Sequence, residues 1–344
     1  MGVTRSIGVR SCVLVAAAAL ALTACSSGQE TDDSGGNSGG GGSQSGTIRI
    51  AYLQKQGDQQ YFIDQANGAK ETAKKLGAEV TVVNLGEDAN KAISEVDTAV
   101  AQGFDGIIIV VPDQQVGPQV IQTAKQAHIP LLASDDIIKD ADGKAAPFVG
   151  FNGSAMGEQV GTKAGELFKD SGWDAADTRI LRVSKEDLSV CEQRVDAATD
   201  AFKTSAGTGD VEVIKVGTDA TVVDAQDKTA AVVTGNPGVK HWVVYGCNDE
   251  SETGAVTALQ NAGVKPADII GVGLGAYLTC KDWNAGLDTG NKAALFISGA
   301  EVGHTAVEQM VKAIKDGSDL PPESIAHTEM VDATNWEQAG VVCT

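Results

Sequence analysis

Two hydrophobic periodicities alternate along the chain from Thr47 onward. Residues 47–53 (TIRIAYL) form a short apolar run typical of a strand, whereas residues 60–77 place apolar side chains three or four positions apart, which predicts a helix that Gly77 ends. The alternation continues and predicts strands at 80–85, 106–111, 129–134 and 147–151, with helices around 93–100 and 115–127. Strands that are apolar on both sides, separated by amphipathic helices, predict a parallel sheet covered on both faces.

The pattern then repeats over a similar length. It predicts strands at 179–184, 211–217, 241–246 and 269–274, with helices at 154–169, from about 191, near 223–234 and near 251–262. Two successive β/α halves predict an α/β protein of two Rossmann-like lobes, with the cleft between them as the default binding site. Trp242 lies inside a predicted strand and is expected in the core. The pattern leaves open where a further helix at 303–315 docks.

The first 46 residues are expected to lie outside this fold. Arg5 and Arg10 precede a short Ala-rich apolar stretch, and LTAC (22–25) resembles the bacterial lipoprotein signal, which implies cleavage after residue 24 and a lipid on the Cys25 thiol. The alternative is an ordinary secretory signal with a coincidental cysteine. Residues 26–46 contain no aliphatic or aromatic side chain, so we expect 25–46 to be a lipidated, disordered tether. The lipid is then the predicted membrane anchor, since no later run is long enough to cross a bilayer.

Charge and cysteine content narrow the possible partners. The net charge is −20, and loss of the two arginines with the signal peptide makes it −22, which argues against nucleic acid or an anionic lipid surface as partner. Four cysteines remain after Cys12 and Cys25 are set aside, and an even number in an oxidising compartment allows three pairings of Cys191, Cys247, Cys280 and Cys343. No CxxC motif or Cys/His cluster occurs, so no metal and no cofactor are predicted.

Polar side chains follow several of the predicted strands. Asp135 and Asp136 stand side by side after the apolar run LLAS, Lys55 follows the first strand, and Asn248 follows HWVVYG. The carboxyl ends of parallel strands meet at one edge of a sheet, where ligands gather, so these residues are expected on one rim. Strand alternation would send the two adjacent carboxylates to opposite sides.

Four segments carry a resemblance to a known family. RIAYLQKQGDQQYF, LLASDD, NPGVKHWVVYGCNDES and ADIIGVGLG resemble the L-arabinose-binding members of the type I periplasmic binding proteins, which supply sugar to ABC importers. The similarity runs from about Thr47 to Trp336. It implies two α/β lobes joined by three hinge crossings around an enclosed sugar. The first lobe would comprise 47–151 and 298–326, and the second 152–297 and 327–344.

The resemblance also assigns ligand contacts. Lys55, Arg194 and Asn248 match contact residues of the family, and the Asp135–Asp136 pair matches two aspartates that hold the ring-oxygen side and the anomeric hydroxyl. At three further contact positions this chain departs from the family: Gln59 replaces a glutamate, Tyr61 a tryptophan and Phe151 a methionine. Gly275 replaces a ligand-binding asparagine, which implies an altered preference among aldoses, with Tyr277 as a candidate substitute.

The chemistry of the assigned residues suits a sugar. Ionised aspartate only accepts hydrogen bonds, lysine and arginine only donate, and asparagine does both, so each sugar hydroxyl can give and receive in a fixed sense. Tyr61, Phe62 or Phe151 could cover an apolar C–H face. Without the resemblance, Asp135 would be read as a helix cap, Lys55 and Asn248 as turn residues and Arg194 as a surface side chain.

The resulting hypothesis is an extracytoplasmic substrate-binding lipoprotein of an ABC importer. It would be a monomer that binds an arabinose- or galactose-like monosaccharide by hinge closure and delivers it to the permease subunits. The alternative is a sugar-sensing lipoprotein that signals through a membrane partner. An enzyme is not expected, since GxSxG, HExxH and GxxxxGK[ST] do not occur and adjacent acids are poorly placed for glycoside hydrolysis.

Two disulfides follow from placing the cysteines on this framework. Cys191 would lie near Arg194, and Cys247 directly precedes Asn248, so both would lie at the cleft on the second lobe. We therefore expect a Cys191–Cys247 bond that rigidifies this half of the site, leaving Cys280 to pair with Cys343.

Overall fold

The computed structural model describes residues 46–343. The expected signal peptide, the lipidated Cys25 and the tether up to Ser45 lie outside the described residues. Within the described part of the chain, no helix combines the length and the apolar character needed to cross a membrane.

The first lobe is built on a six-stranded parallel sheet. Its elements up to the first crossing are β1 (Ile48–Gln54), α1 (Gln60–Leu76), β2 (Ala78–Asn84), α2 (Ala89–Ala101), β3 (Gly106–Ile109), α3 (Gly117–Gln126), β4 (Leu131–Ser134) and β5 (Phe148–Gly150). Strands β3, β4 and β5 are buried along their whole length, because helices cover both faces of the sheet. As expected, α1 ends at Gly77, which adopts a left-handed conformation with φ 70°.

The second lobe repeats this organisation. Its elements are α4 (Gly153–Ser171), β6 (Thr178–Ser184), α5 (Ser189–Ala206), β7 (Glu212–Gly217), α6 (Val222–Gly235), β8 (His241–Gly246), α7 (Asp249–Asn261), β9 (Ile269–Gly275), α8 (Cys280–Asn284) and β10 (Asn291–Ile297). Trp242 is 1% exposed, which confirms its expected place in the core.

The chain returns to each lobe after β10. It continues through α9 (Gly299–Asp316), β11 (Glu323–Ile325) and β12 (Thr328–Val331). The first sheet has the order β11-β5-β4-β3-β1-β2, and the second the order β12-β10-β9-β8-β6-β7. The chain therefore crosses between the sheets three times, after β5, after β10 and after β11. The late helix α9 packs on α1 and against β3, β4 and β5 of the first lobe.

Four elements of this fold have no counterpart among the sequence-based predictions. They are α8, β10, β11 and β12. Helix α8 spans only five residues, and β11 and β12 are edge strands of three and four residues, too short to carry a period. Strand β12 runs antiparallel to β10, unlike every other pair in the two sheets.

Glycines allow two pairs of helices to pack backbone to backbone. Gly157 and Gly161 of α4 face α5, where an added Cβ would overlap the carbonyl oxygens of Arg194 and Ala198. Gly303 of α9 lies in the same way against the Gln65 carbonyl oxygen of α1. This close packing positions the first turns of α1 and α5, and both helices contribute side chains to the cleft.

Candidate ligand-binding cleft

A cleft of about 630 Å³, part of it open to solvent, lies between the two lobes at the carboxyl ends of their strands. The first lobe contributes five of the expected contact residues to its lining, namely Lys55, Gln59, Tyr61, Asp135 and Asp136. The second lobe contributes the other two that line it, Arg194 and Asn248. Phe151 is not among its lining residues; it borders an adjoining cavity of about 1610 Å³ that shares Asp135 with the cleft.

The adjacent acids leave β4 through an unusual backbone conformation. Asp135 has φ 65°, in the left-handed region, directly after the last extended residue of the strand. The turn removes the alternation of strand side chains, and both carboxylates line the same cleft. The expectation that they point to opposite sides is therefore wrong, because Asp135 is no longer in the extended conformation on which alternation depends.

Each of the two carboxylates has a partner from the first lobe. Lys55 Nζ lies 3.2 Å from Asp136 Oδ2, and the Tyr61 hydroxyl donates to Asp135 Oδ1 at 3.0 Å. Burial alone would lower the pKa of Lys55, but the carboxylates of Asp136, Asp135 and Glu87 outweigh it and leave the pKa raised. Lysine therefore stays cationic in the cleft.

Asp135 and Tyr61 are shifted towards their neutral forms. Burial and the charge of Asp136 raise the pKa of Asp135, although Arg194, Lys55 and the Tyr61 hydroxyl oppose the shift. Burial and the nearby Asp135 carboxylate raise the pKa of Tyr61 well above its usual value, so its hydroxyl keeps its proton and remains a donor. The first-lobe side of the cleft thus offers two carboxyl groups beside a fixed cation and a tyrosine hydroxyl that keeps its proton.

The second lobe presents Arg194 from the first turns of α5. Its Nη1 donates to the Cys247 carbonyl oxygen at 3.0 Å, which holds the guanidinium against the turn after β8. Its buried Nε has no hydrogen-bond partner among residues 46–343, so this N–H is available to a ligand. Cys191 and Cys247 are joined by a disulfide with Cα atoms 4.8 Å apart, and it ties α5 to the same turn.

Asn248 combines a structural role with its place at the cleft. Its Oδ1 accepts from the Ser251 amide at 3.0 Å, which caps the start of α7, and its Nδ2 donates to the Ala220 carbonyl oxygen at 2.9 Å. The cap explains why an asparagine follows β8, independently of any ligand.

The second disulfide, between Cys280 and Cys343, lies away from this turn and fastens the chain end to α8.

The position of the missing asparagine is filled by an aromatic ring. Gly275 has φ 144°, and a Cβ there would overlap the Tyr277 ring. The Tyr277 hydroxyl donates to Glu250 Oε2 at 2.9 Å, and burial together with the charge of Asp249 raises the pKa of Glu250 to about 7. Sequence reasoning missed Glu250, because its contact with Tyr277 depends on the left-handed backbone that follows β9.

Two further charged residues reach the mouth of the cleft. Lys185 of the second lobe lies 3.0 Å from Glu87 of the first, and both line the cleft. Lys185 lies in the polar turn directly after β6, and the position of this turn at the end of a predicted strand places it on the rim of the cleft. Glu87 lies three residues after β2 and was not predicted. The pair joins the two lobes directly.

The comparisons with known proteins agree with this architecture. Residues 50–319 match the family model of the periplasmic binding protein domain, and the chain belongs to this family. The ABC transporter L-arabinose-binding periplasmic protein of Azospirillum brasilense is 28% identical over 305 residues, 84% of this chain and 88% of that protein. The L-arabinose-binding periplasmic protein of Escherichia coli is 26% identical over 288 residues, 83% and 87% of the two chains.

Solved structures share the fold at lower identity. An ABC transporter periplasmic solute-binding protein of Actinobacillus succinogenes with bound D-allose gives a TM-score of 0.73 at 22% identity and covers 85% of this chain and 100% of its own. A Caulobacter myo-inositol-binding protein gives 0.72 at 18%, covering 87% and 98%. The expected type I fold is confirmed, as is the expectation that the chain is not an enzyme, since the family consists of binding proteins.

Proposed function

We propose that this chain is the extracytoplasmic substrate-binding component of an ABC importer and that it binds a monosaccharide between its lobes. The observation that carries the proposal is the set of charged, buried hydrogen-bonding groups that line one cleft from both lobes. Asp135 and Asp136 line this cleft together with Lys55 of the first lobe and Arg194 of the second. Hydrogen bonds to charged partners contribute about 1.5–3 kcal/mol each, and the paired charges make burial tolerable when the cleft closes.

Closure of the lobes is the expected consequence of binding. The Lys185–Glu87 ion pair joins the lobes at the cleft, and the hydrogen bond from Ser189 to Gln114 joins them at the adjoining cavity. Opening of the hinge would break both contacts. The two pairs therefore stabilise the closed form in addition to the free energy that the ligand contributes. The closed monomer would then present both lobes to the permease subunits.

The substrate class we propose is an arabinose- or galactose-like aldose. The A. brasilense and E. coli relatives are named for L-arabinose, and other relatives for D-apiose, ribose and D-xylose, so the family positions accommodate several aldoses. Gly275, whose side-chain space is filled by the Tyr277 ring, differs from the arabinose pattern, and so does Phe151, which borders the adjoining cavity. We therefore expect an order of preference unlike that of the arabinose-binding group.

A thermal-shift screen of pentoses and hexoses tests the binding proposal. Ligand at a hundredfold excess over its Kd adds about 2.7 kcal/mol to stability, and each kcal/mol raises Tm by roughly 2–4 °C at this size. A cognate aldose should raise Tm by several degrees, and Arg194→Ala should remove that rise. Lys203→Ala, an exposed change on the same helix, should preserve it. Absence of any shift across the panel, or a full shift in Arg194→Ala, contradicts the proposal.

Membrane attachment is proposed to run through a lipid on Cys25. Expression of the full chain in a bacterial host, followed by detergent partition, should place the protein in the membrane fraction. Cys25→Ser should move it to the soluble extracytoplasmic fraction without changing sugar binding. Equal partition of the two forms contradicts a lipid anchor at this residue.

A further inference from the structure

One side of the cleft is apolar. Leu274 at the end of β9, Tyr277 just after it and Ile297 at the end of β10 line the cleft together with Phe62 of α1. Each of the four side chains is at most 8% exposed. The charged residues Lys55, Asp135, Asp136 and Arg194 supply the hydrogen-bonding groups elsewhere in the cleft, so a ligand meets a mixed lining.

Tyr277 is part of this apolar wall because its hydroxyl is already used. The hydroxyl donates to Glu250 Oε2, and its ring fills the space that a side chain at residue 275 would need. The neighbouring Asp249 carboxylate is also engaged, since it accepts from the Leu278 amide and from the Thr279 hydroxyl at 2.6 and 2.9 Å. The proton of the Tyr277 hydroxyl and both carboxylate oxygens of Asp249 are therefore already engaged within the protein.

We propose that the bound sugar turns a hydroxyl-free edge, either a methyl group or an unsubstituted ring carbon, towards the wall formed by Leu274, Tyr277 and Ile297. The cleft then selects pentoses and 6-deoxyhexoses over the hexoses that carry a hydroxymethyl group at the same position. A hydroxyl against this wall loses its hydrogen bonds to water without a replacement, whereas a methyl gains apolar contact. This inference rests on the proposed sugar-binding function and specifies its ligand.

Sugars that differ at one carbon test the inference. D-galactose, D-fucose and L-arabinose share their ring hydroxyls and carry CH₂OH, CH₃ and H at that carbon. Two further pairs, L-galactose with L-fucose and L-mannose with L-rhamnose, extend the test to other ring configurations. Calorimetric titration should give a Kd at least about tenfold lower for the deoxy or pentose member of each series that binds. A hexose that binds as tightly as its deoxy partner overturns the inference alone. Failure of every sugar to bind overturns the proposed function and this inference with it.

Variants of the wall test whether its apolar character or the Tyr277 hydroxyl determines the preference. Ile297→Thr places a hydroxyl on the wall but also shortens the side chain, so Ile297→Val, which has the shape of threonine without the hydroxyl, is its control. The threonine variant should reduce the preference for the deoxy sugar by about fivefold or more relative to the valine variant. Tyr277→Phe keeps the ring and should leave the ratio of the two Kd values unchanged. A ratio that collapses in Tyr277→Phe would mean that the Tyr277 hydroxyl binds a ligand hydroxyl, which overturns the inference. Tm values without ligand establish that each variant is folded.

Discussion

Lys55 Nζ and Asp136 Oδ2 lie 3.2 Å apart in the cleft, with only 9% and 2% of their side chains exposed. This pair explains how two adjacent acids can end a buried strand, since Asp136 is compensated by a cation while Asp135 accepts a hydrogen bond from the Tyr61 hydroxyl. Asp136→Ala would leave Lys55 buried without its closest partner. We expect a loss of about 3 kcal/mol in the free energy of unfolding without ligand, measured by urea denaturation.

An exposed ion pair provides the control for this loss. Glu71 lies 2.7 Å from Lys75 on α1, but both side chains are about two-thirds exposed, at 68% and 65%. Glu71→Ala should leave the free energy of unfolding nearly unchanged, because water and salt screen an exposed ion pair. Equal effects of the two alanine variants would mean that burial does not strengthen the Lys55–Asp136 pair.

The Cys191–Cys247 disulfide should serve both the fold and the site. It links residues 56 positions apart and joins the helix that carries Arg194 to the turn that carries Asn248. Replacing both cysteines by alanine should lower stability by about 2–4 kcal/mol and weaken sugar binding. Peptide mapping without reductant should recover Cys191 with Cys247 and Cys280 with Cys343. Four free thiols, or crossed pairs, would contradict this connectivity.

The repeating strands and helices of both lobes could be predicted because their periods are long and regular. Strand β3 has no polar side chain and β4 has only one, Ser134 at its end, and this is the pattern of a sheet covered on both faces. The short edge strands β11 and β12 could not be predicted from the sequence. Their pairing depends on where the chain packs after α9, and three or four residues are too few to show a strand periodicity.

The contact residues of the cleft came from the resemblance, and the structure adds how the backbone presents them. The left-handed conformation of Asp135 overrides strand alternation, and no propensity of aspartate alone would have indicated it at this position. In the same way, only the three-dimensional structure shows that the Tyr277 ring occupies the space that a side chain at residue 275 would fill. Local backbone conformation decides the chemistry of both positions.

The glycines of α4 should be essential to the second lobe. A side chain at Gly161 would overlap the Ala198 carbonyl oxygen of α5, and backbone cannot move aside as a flexible side chain can. Gly161→Ala should lower the free energy of unfolding by roughly 2–3 kcal/mol, measured by urea denaturation. Gly209→Ala is the matched control, since a Cβ there meets nothing within 4 Å. A stable Gly161→Ala variant would contradict the close packing of α4 on α5.

Glu250 should make the stability of the protein fall as pH rises. Its pKa in the folded chain is about 7, against an ordinary value of 4.5, so between these two pH values the folded state holds a proton that the unfolded state has lost. Stability from this group is therefore greatest below about pH 4.5 and declines until pH has passed about 7. The difference of about 2.5 pKa units corresponds to about 3 kcal/mol.

Glu250→Gln isolates this contribution from those of the other buried acids. Burial also raises the pKa of Asp135, Asp249 and Glu252, so the wild-type curve contains several contributions of the same sign. Glutamine stays neutral and can still accept from the Tyr277 hydroxyl. The variant should lose about 3 kcal/mol less than the wild type between about pH 4 and about pH 8, measured by urea denaturation at each pH. Glu158→Gln, an exposed change on α4, should follow the wild-type curve. If the Glu250→Gln curve also runs parallel to the wild type, Glu250 is ionised throughout this range and its burial does not control its charge.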